Sequence, residues 1–183
     1  MRYVGFTGFQ GVGKSSIAEA LYNLRKDKAV IRPFAAPLKA LASYMYGVDI
    51  QRFENWKAKD HKLAHLGHTP RELLLKLSAE LKEEYGQRIL LDIYQKGLAI
   101  LPDDAIVIIP DVRLDMEAAW IRDNGGSIIA VTSPYINRYK QRNHMDTCLK
   151  GDYTIYMGKI KPGILDPEVV SEAAKHIKYV LEL

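Results

Sequence analysis

The chain has 183 residues, 48% hydrophobic and 26% charged, the proportions of a globular protein rather than a disordered, coiled-coil or collagen-like one. Lys and Arg number 26 against 22 Asp and Glu, a net charge of +4, which suits an anionic ligand but includes no basic arm for a nucleic-acid polymer. The longest uncharged run, residues 124–137, is too short and polar to span a bilayer. No cationic-then-apolar leader is visible, and the single cysteine, Cys148, forms no internal disulfide; a cytoplasmic location is expected.

Residues 2–7 (RYVGFT) read as a short buried strand running into a glycine-rich turn. Residues 14–26 carry Ile17, Ala20, Leu21 and Leu24 at helical spacing. Residues 28–34 read as a second strand, stopped by Pro33. From 36 to 101 the pattern is helical. Ala40, Leu41, Tyr44 and Met45 share one face, and Leu73, Leu74, Leu77 and Leu81 another, with Thr69 and Pro70 as start signals. Gly86 and Gly97 bracket a third helix. Residues 105–109 (AIVII) read as a fully buried strand. A helix over 114–124 follows, closed by Gly125 and Gly126, then a strand over 127–132. Residues 134–150 are polar and basic, a candidate lid. A last strand over 153–156 and a closing amphipathic helix over 166–182 complete the chain.

Strands alternating with helices imply a parallel sheet covered on both faces. The helical stretch reads as an insertion in that α/β core. One domain, residues 1–183, is therefore expected: a core of 1–35 and 102–183, an insertion over about 36–101 and a lid over about 134–150.

Residues 8–15 (GFQGVGKS) fit G-x-x-x-x-G-K-[ST], with a strand before and a helix after. Gly8, Gly11 and Gly13 let the chain curl so that backbone N–H groups, including those of Val12 and Ser16, surround one anion. The helix start adds its positive end. Lys14 can reach the β- and γ-phosphates of a nucleotide, and the Ser15 hydroxyl can ligate Mg²⁺. The bland alternative is a glycine turn that only caps a helix. At ordinary glycine usage of about 7%, the four fixed positions would match by chance in under about 1% of chains this long.

Asp111 follows the strand over 105–109, at the carboxyl end where open α/β sheets bind ligands. It can hold Mg²⁺, directly or through water. Arg113 can clamp a phosphate with its fork. Glu117 lies four residues beyond Arg113 on the next helix. Without the neighbouring P-loop, the same residues read as a helix cap and a surface i,i+4 pair.

The stretch IVIIPDVRLDMEAAWIRDNGGSIIAVTSP, residues 106–134, resembles the phage deoxynucleoside monophosphate kinases, as do FAAPLKALA (34–42) and TPRELLLKLSAEL (69–81). With the P-loop, four blocks carry the resemblance. It implies a P-loop kinase fold: a five-stranded parallel sheet with helices on both faces, a helical acceptor-binding insertion and a short lid. It implies ATP on the P-loop, a nucleoside monophosphate under the insertion, and Asp111, Arg113 and Glu117 serving the substrate and the moving phosphoryl group. Arg71, and less directly Lys39, become candidates for the acceptor phosphate. The chain departs from the family at Ser15 and Ser16, where Asp-Thr is common, and at Met145, Asp146 and Thr147, where a Ser-Glu pair is.

His61, His65 and His68 fall at i, i+4 and i+7, but Lys57, Lys59 and Lys62 crowd them; a solvated helix face is expected before a metal site. Arg138, Lys140 and Arg142 alternate in the candidate lid, where Arg138 and Arg142 could neutralise transition-state charge. Trp56, Tyr44, Tyr46 or Tyr85 could stack on a base, though core packing is the commoner fate. Cys148 reads as inert.

The expected reaction passes a phosphoryl group from Mg·ATP to a (deoxy)nucleoside monophosphate. The alternatives are another phosphorylated acceptor, such as phosphomevalonate or dephospho-coenzyme A, and a non-kinase nucleotide-binding ATPase. The expected partners are small molecules, with no stable nucleic-acid complex and no membrane; a homodimer is compatible with the sequence. A phage-encoded protein would act in the host cytoplasm.

Overall fold

The computed structural model describes residues 1–55, 58–133, 149–158 and 166–183. They divide into two compact units, Met1–Pro33 with Leu101–Leu183, and Phe34–Ile100.

The first unit is built on a five-stranded sheet in the order β2-β3-β1-β4-β5. Its strands are β1 (Arg2–Thr7), β2 (Ala29–Ile31), β3 (Ile106–Ile109), β4 (Ser127–Thr132) and β5 (Tyr153–Tyr156), and all pairings are parallel. A parallel sheet must be covered on both faces, and the alternation along β1 shows how. Val4 and Phe6 join Ile106, Ile108, Ile129 and Val131 in a core shared with α1 (Lys14–Leu24) and α7 (Pro167–Val180). On the other face, Tyr3 meets Trp120 of α6 (Asp115–Asp123) edge-on at 5.1 Å. Side chains such as Ile108 and Ile109 are fully buried, each burial contributing about 1.5–3 kcal/mol. This is an α/β fold with a five-stranded parallel sheet and helices on both faces.

Two features fix the α6–β4 crossover. Gly125, at φ 72°, ends the helix, and the Gly126 N–H donates to Ile121. A Cβ on Gly126 would stand 2.6 Å from the Tyr3 carbonyl oxygen, so only glycine passes there. The strand β5 is exposed on its outer side, with Tyr156 75% accessible.

The second unit contains α2 (Ala36–Tyr46), α3 (Gln51–Glu54), a 3₁₀ turn at Ala58–Asp60, α4 (Pro70–Tyr85) and α5 (Ile89–Leu98). Ala42, Val48, Phe53, Leu63, Leu73 and Leu77 form its core. The start of α4 is a full capping box: Glu72 N–H donates to Thr69 Oγ1, and Thr69 N–H to Glu72 Oε2.

Several local expectations are corrected. The strand β2 is Ala29–Ile31 rather than 28–34; one further ladder bond, from Arg32 N–H to the Ile108 carbonyl, precedes Pro33. Gly97 lies inside α5, where it meets no crowding, instead of ending it. The buried stripe of α2 is Leu38, Leu41, Ala42 and Tyr46, one step round from the expected face; Tyr44 and Met45 are 89% and 56% exposed. Tyr85 is also exposed, so of the tyrosines expected to pack, Tyr46 alone does so. His61, His65 and His68 stand in exposed turns, not on a helix. His68 Nδ1 lies 3.7 Å from Glu72. Among the described residues no His, Cys, Asp or Glu cluster could hold a metal ion, and no helix is long and apolar enough to cross a membrane.

Candidate active site

The glycine-rich loop of residues 8–13 is set by the end of β1. Gly8, at φ 140°, passes so close to β4 that a Cβ would stand 2.3 Å from the Val131 carbonyl oxygen. Any side chain would push the loop off the sheet. Gly11 (φ 81°) and Gly13 (φ 101°) turn the chain in the left-handed region, and Gly13 is the N-cap of α1. Val12 is buried beneath the loop. The loop's turns thus use conformations that glycine supplies.

The first turn of α1 begins at Lys14, Ser15 and Ser16 and contains no acidic residue. No carboxylate of that turn compensates its positive end. Ser15 is exposed and Lys14 half-buried. Lys14 Nζ donates to the Gly8 carbonyl at 2.6 Å and the Phe9 carbonyl at 2.9 Å. The ammonium is therefore fixed across the loop, where the phosphates of a nucleotide would lie.

The neighbouring strand β3 delivers the second group. Gly5 is level with Ile109 in the parallel register. Val112 N–H then donates to the Phe6 carbonyl at 3.1 Å, placing Asp111 level with the last residues of β1. Asp111 and Arg113 are half-buried beyond the carboxyl ends of the strands. The P-loop, Asp111 and Arg113 are brought to one end of the sheet, in one unit. The Ser15 hydroxyl and the Asp111 carboxylate are hard oxygen donors of the type Mg²⁺ takes, and the glycine cradle suits a polyphosphate beside them.

Glu117 behaves differently from the expectation. Its Oε2 accepts from the Arg113 N–H at 2.8 Å and the Leu114 N–H at 3.0 Å. It closes the start of α6 from within. Burial pushes its carboxyl above the ordinary range, and the nearby Asp111 carboxylate adds to that push; the two amide bonds and Arg113 act against it.

Lys39 and Arg71 belong to the second unit, on α2 and α4. Arg71 forms a two-pronged pair with Asp60, Nε to Oδ1 at 2.6 Å and Nη2 to Oδ2 at 3.3 Å. The pair holds the Asp60 carboxyl below its usual range. Arg138, Lys140 and Arg142, the 145–147 segment, Cys148 and Trp56 lie outside the described residues.

Two residues escaped the sequence reading. Thr7 is fully buried, and its Oγ1 accepts from the Leu149 N–H at 3.0 Å; a hydroxyl at a strand-to-loop junction was the available signal. Arg32 stands just past β2, at the same end of the sheet as Asp111. The strand-end rule that picked out Asp111 would also have found it.

No family model matches the chain. A curated protein of Acanthamoeba polyphaga mimivirus, named "Putative deoxynucleotide monophosphate kinase", is 25% identical over 151 residues, covering 74% of this chain and 76% of that protein. The APS kinase of Mycobacterium tuberculosis in complex with AMPPNP and APS is 15% identical, with a TM-score of 0.48 over 100% of this chain and 98% of that one. The shikimate kinase of Bacteroides thetaiotaomicron is 11% identical, with a TM-score of 0.48 over 100% and 99%. The chain is thus similar in sequence to a protein bearing the name of the family that its own motifs resemble.

Proposed function

We propose that the chain is an ATP-dependent phosphotransferase that converts a deoxynucleoside monophosphate to its diphosphate. The observation that supports this is that Asp111 and Arg113 follow the carboxyl end of β3, the parallel neighbour of the strand that leads into the Gly8–Ser15 motif. The similarity to the mimivirus protein supports the choice of acceptor class.

The chain's own groups have separable tasks. The amides of residues 8–16 and the Lys14 ammonium hold the donor polyphosphate. Mg²⁺, held by Ser15 and Asp111, would supply charge neutralisation at the β- and γ-phosphates. Arg113 clamps the acceptor phosphate or the moving phosphoryl group with two parallel N–H donors. Arg71 and Lys39 are proposed for the acceptor phosphate, and Arg138 and Arg142 for the developing charge. A phosphate oxygen is already a competent nucleophile at neutral pH, so no general base is needed. The rate comes from positioning and charge.

The test is ADP release from Mg·ATP with four deoxynucleoside monophosphates, four ribonucleotides, phosphomevalonate, dephospho-coenzyme A and no acceptor. Turnover with deoxynucleotides, abolished in Lys14→Ala, is expected. Turnover with a non-nucleotide acceptor alone would replace the substrate class, and hydrolysis without any acceptor would remove the kinase reading.

A further inference from the structure

The start of α6 has an unusual construction. Its N-cap is Leu114, in an extended conformation at φ −106° and ψ 143°. A leucine has no side-chain oxygen to offer the first amides of a helix, the task that Ser, Thr, Asp or Asn performs elsewhere. Thr69 does so for α4 and Asp166 for α7. At α6 the Glu117 N–H turns to the Leu114 backbone carbonyl instead, while Glu117 Oε2, one turn in, receives the Arg113 and Leu114 amides that precede the helix.

Those amides belong to the turn that carries Arg113 and follows Asp111. The turn is tied to the sheet by the Val112 N–H bond to Phe6 and to the helix by Glu117. A carboxylate is also a poor partner for a phosphate, since two anions repel. Its other neighbours are the Asp111 carboxylate and the Arg113 guanidinium.

We infer that Glu117 is a positioning residue, which shapes the turn of residues 111–113 from inside and aims Arg113, and that it does not touch the acceptor. The inference rests on the proposed kinase reading for what the turn is used for; the hydrogen bonding stands apart from it. A misplacement of about 1 Å in a phosphate clamp can cost on the order of 10²-fold in rate. Glutamine keeps an acceptor oxygen at the same reach, so Glu117→Gln should rescue what Glu117→Ala loses.

The experiment compares wild type, E117Q and E117A by amide hydrogen exchange over residues 112–116 and by steady-state kinetics with the deoxynucleotide panel. In E117A the Arg113 and Leu114 amides should exchange at least about tenfold faster. Its kcat should fall by on the order of 10²-fold while the KM for ATP stays within about twofold. E117Q should restore both exchange and kcat to within about threefold. Three results would overturn the inference. One is unchanged amide exchange in E117A. Another is an E117Q protein with protected amides but kcat as low as E117A, which would mean that the charge itself acts. The third is a rise confined to the acceptor KM in E117Q, which would put Glu117 on the substrate. If wild type phosphorylates no nucleoside monophosphate, the proposed function fails and the exchange comparison alone decides whether Glu117 holds the turn. Should E117A not fold, Glu117→Asp takes its place, since its shorter carboxylate should also expose the two amides.

Discussion

Lys14 and Glu117 show how a single side chain can be committed to the backbone and still define a site. Lys14 bonds two carbonyls of its own loop. Replacing it with alanine removes a preset charge, and kcat should drop by at least about 10²–10³-fold, with the circular-dichroism spectrum unchanged. Glu117 makes a pH prediction whose sign follows from its raised carboxyl. In the folded protein it holds its proton to higher pH than in the unfolded chain. Its contribution to stability is therefore fully present below the unfolded value and lost as pH rises through the folded one. Glu117→Gln does not titrate, so the stability of E117Q relative to wild type should rise with pH across that window and then level off. Urea midpoints at pH 4, 5.5 and 7 measure this; a flat difference would contradict the shift. Arg71 and Asp60 pair at the surface, where such bridges contribute no more than about 1 kcal/mol. Arg71→Ala should leave stability nearly unchanged, yet raise the acceptor KM by about tenfold or more if Arg71 binds a phosphate.

At the level of elements, the strands and the two helix-start signals were legible, and the faces of the insertion were not. The uninterrupted apolar run before Asp111 and the Thr69–Pro70 start of α4 leave few alternatives, because burial on both faces and a capping box each demand particular residue types. The stripe of α2 was misjudged because alanine, tyrosine and methionine suit either a core or a surface, and the deciding factor is the neighbouring core formed with Phe53 and Leu73. The task of Glu117 was hidden for a related reason: spacing shows that it is near Arg113, not that it takes the backbone rather than the guanidinium. Glycines of the loop make the element-scale prediction. Gly8→Ala meets the Val131 carbonyl and a disfavoured φ together, and should destabilise by at least about 2 kcal/mol. Gly11→Ala has open space around it, and should lose only the left-handed strain of about 1–2 kcal/mol. Thermal melts of the two variants read the contrast directly.

On the scale of the whole molecule, the chain divides into a sheet-based unit and a helical unit, each with its own core. A nucleotide at about 100 times its Kd should add about 2.7 kcal/mol to the stability of the folded state, a Tm rise of roughly 5–10 °C for a chain of this size. Differential scanning with a non-hydrolysable ATP analogue should show that rise in wild type and none in Lys14→Ala. Equal rises in both would mean that the P-loop is not where the nucleotide binds.

The bond from Leu149 N–H to Thr7 has a consequence for how this protein could be altered. Ser133 leaves β4 two residues after the carbonyl that Gly8 crowds, and its hydroxyl is tied to the Gly158 carbonyl. Leu149 rejoins the sheet at Thr7. Ser133 and Leu149, the described residues that flank positions 134–148, are thus each tied to another described residue by one hydrogen bond. A Gly-Ser segment of the same length in place of residues 134–148 should keep these two bonds, and ADP binding with them, because loop-closure cost changes only slowly with the chain that closes it. Whatever turnover disappears in such a graft belongs to the side chains removed, Arg138 and Arg142 among them, and chimaeras carrying stretches from other kinases could be ranked on the same scaffold.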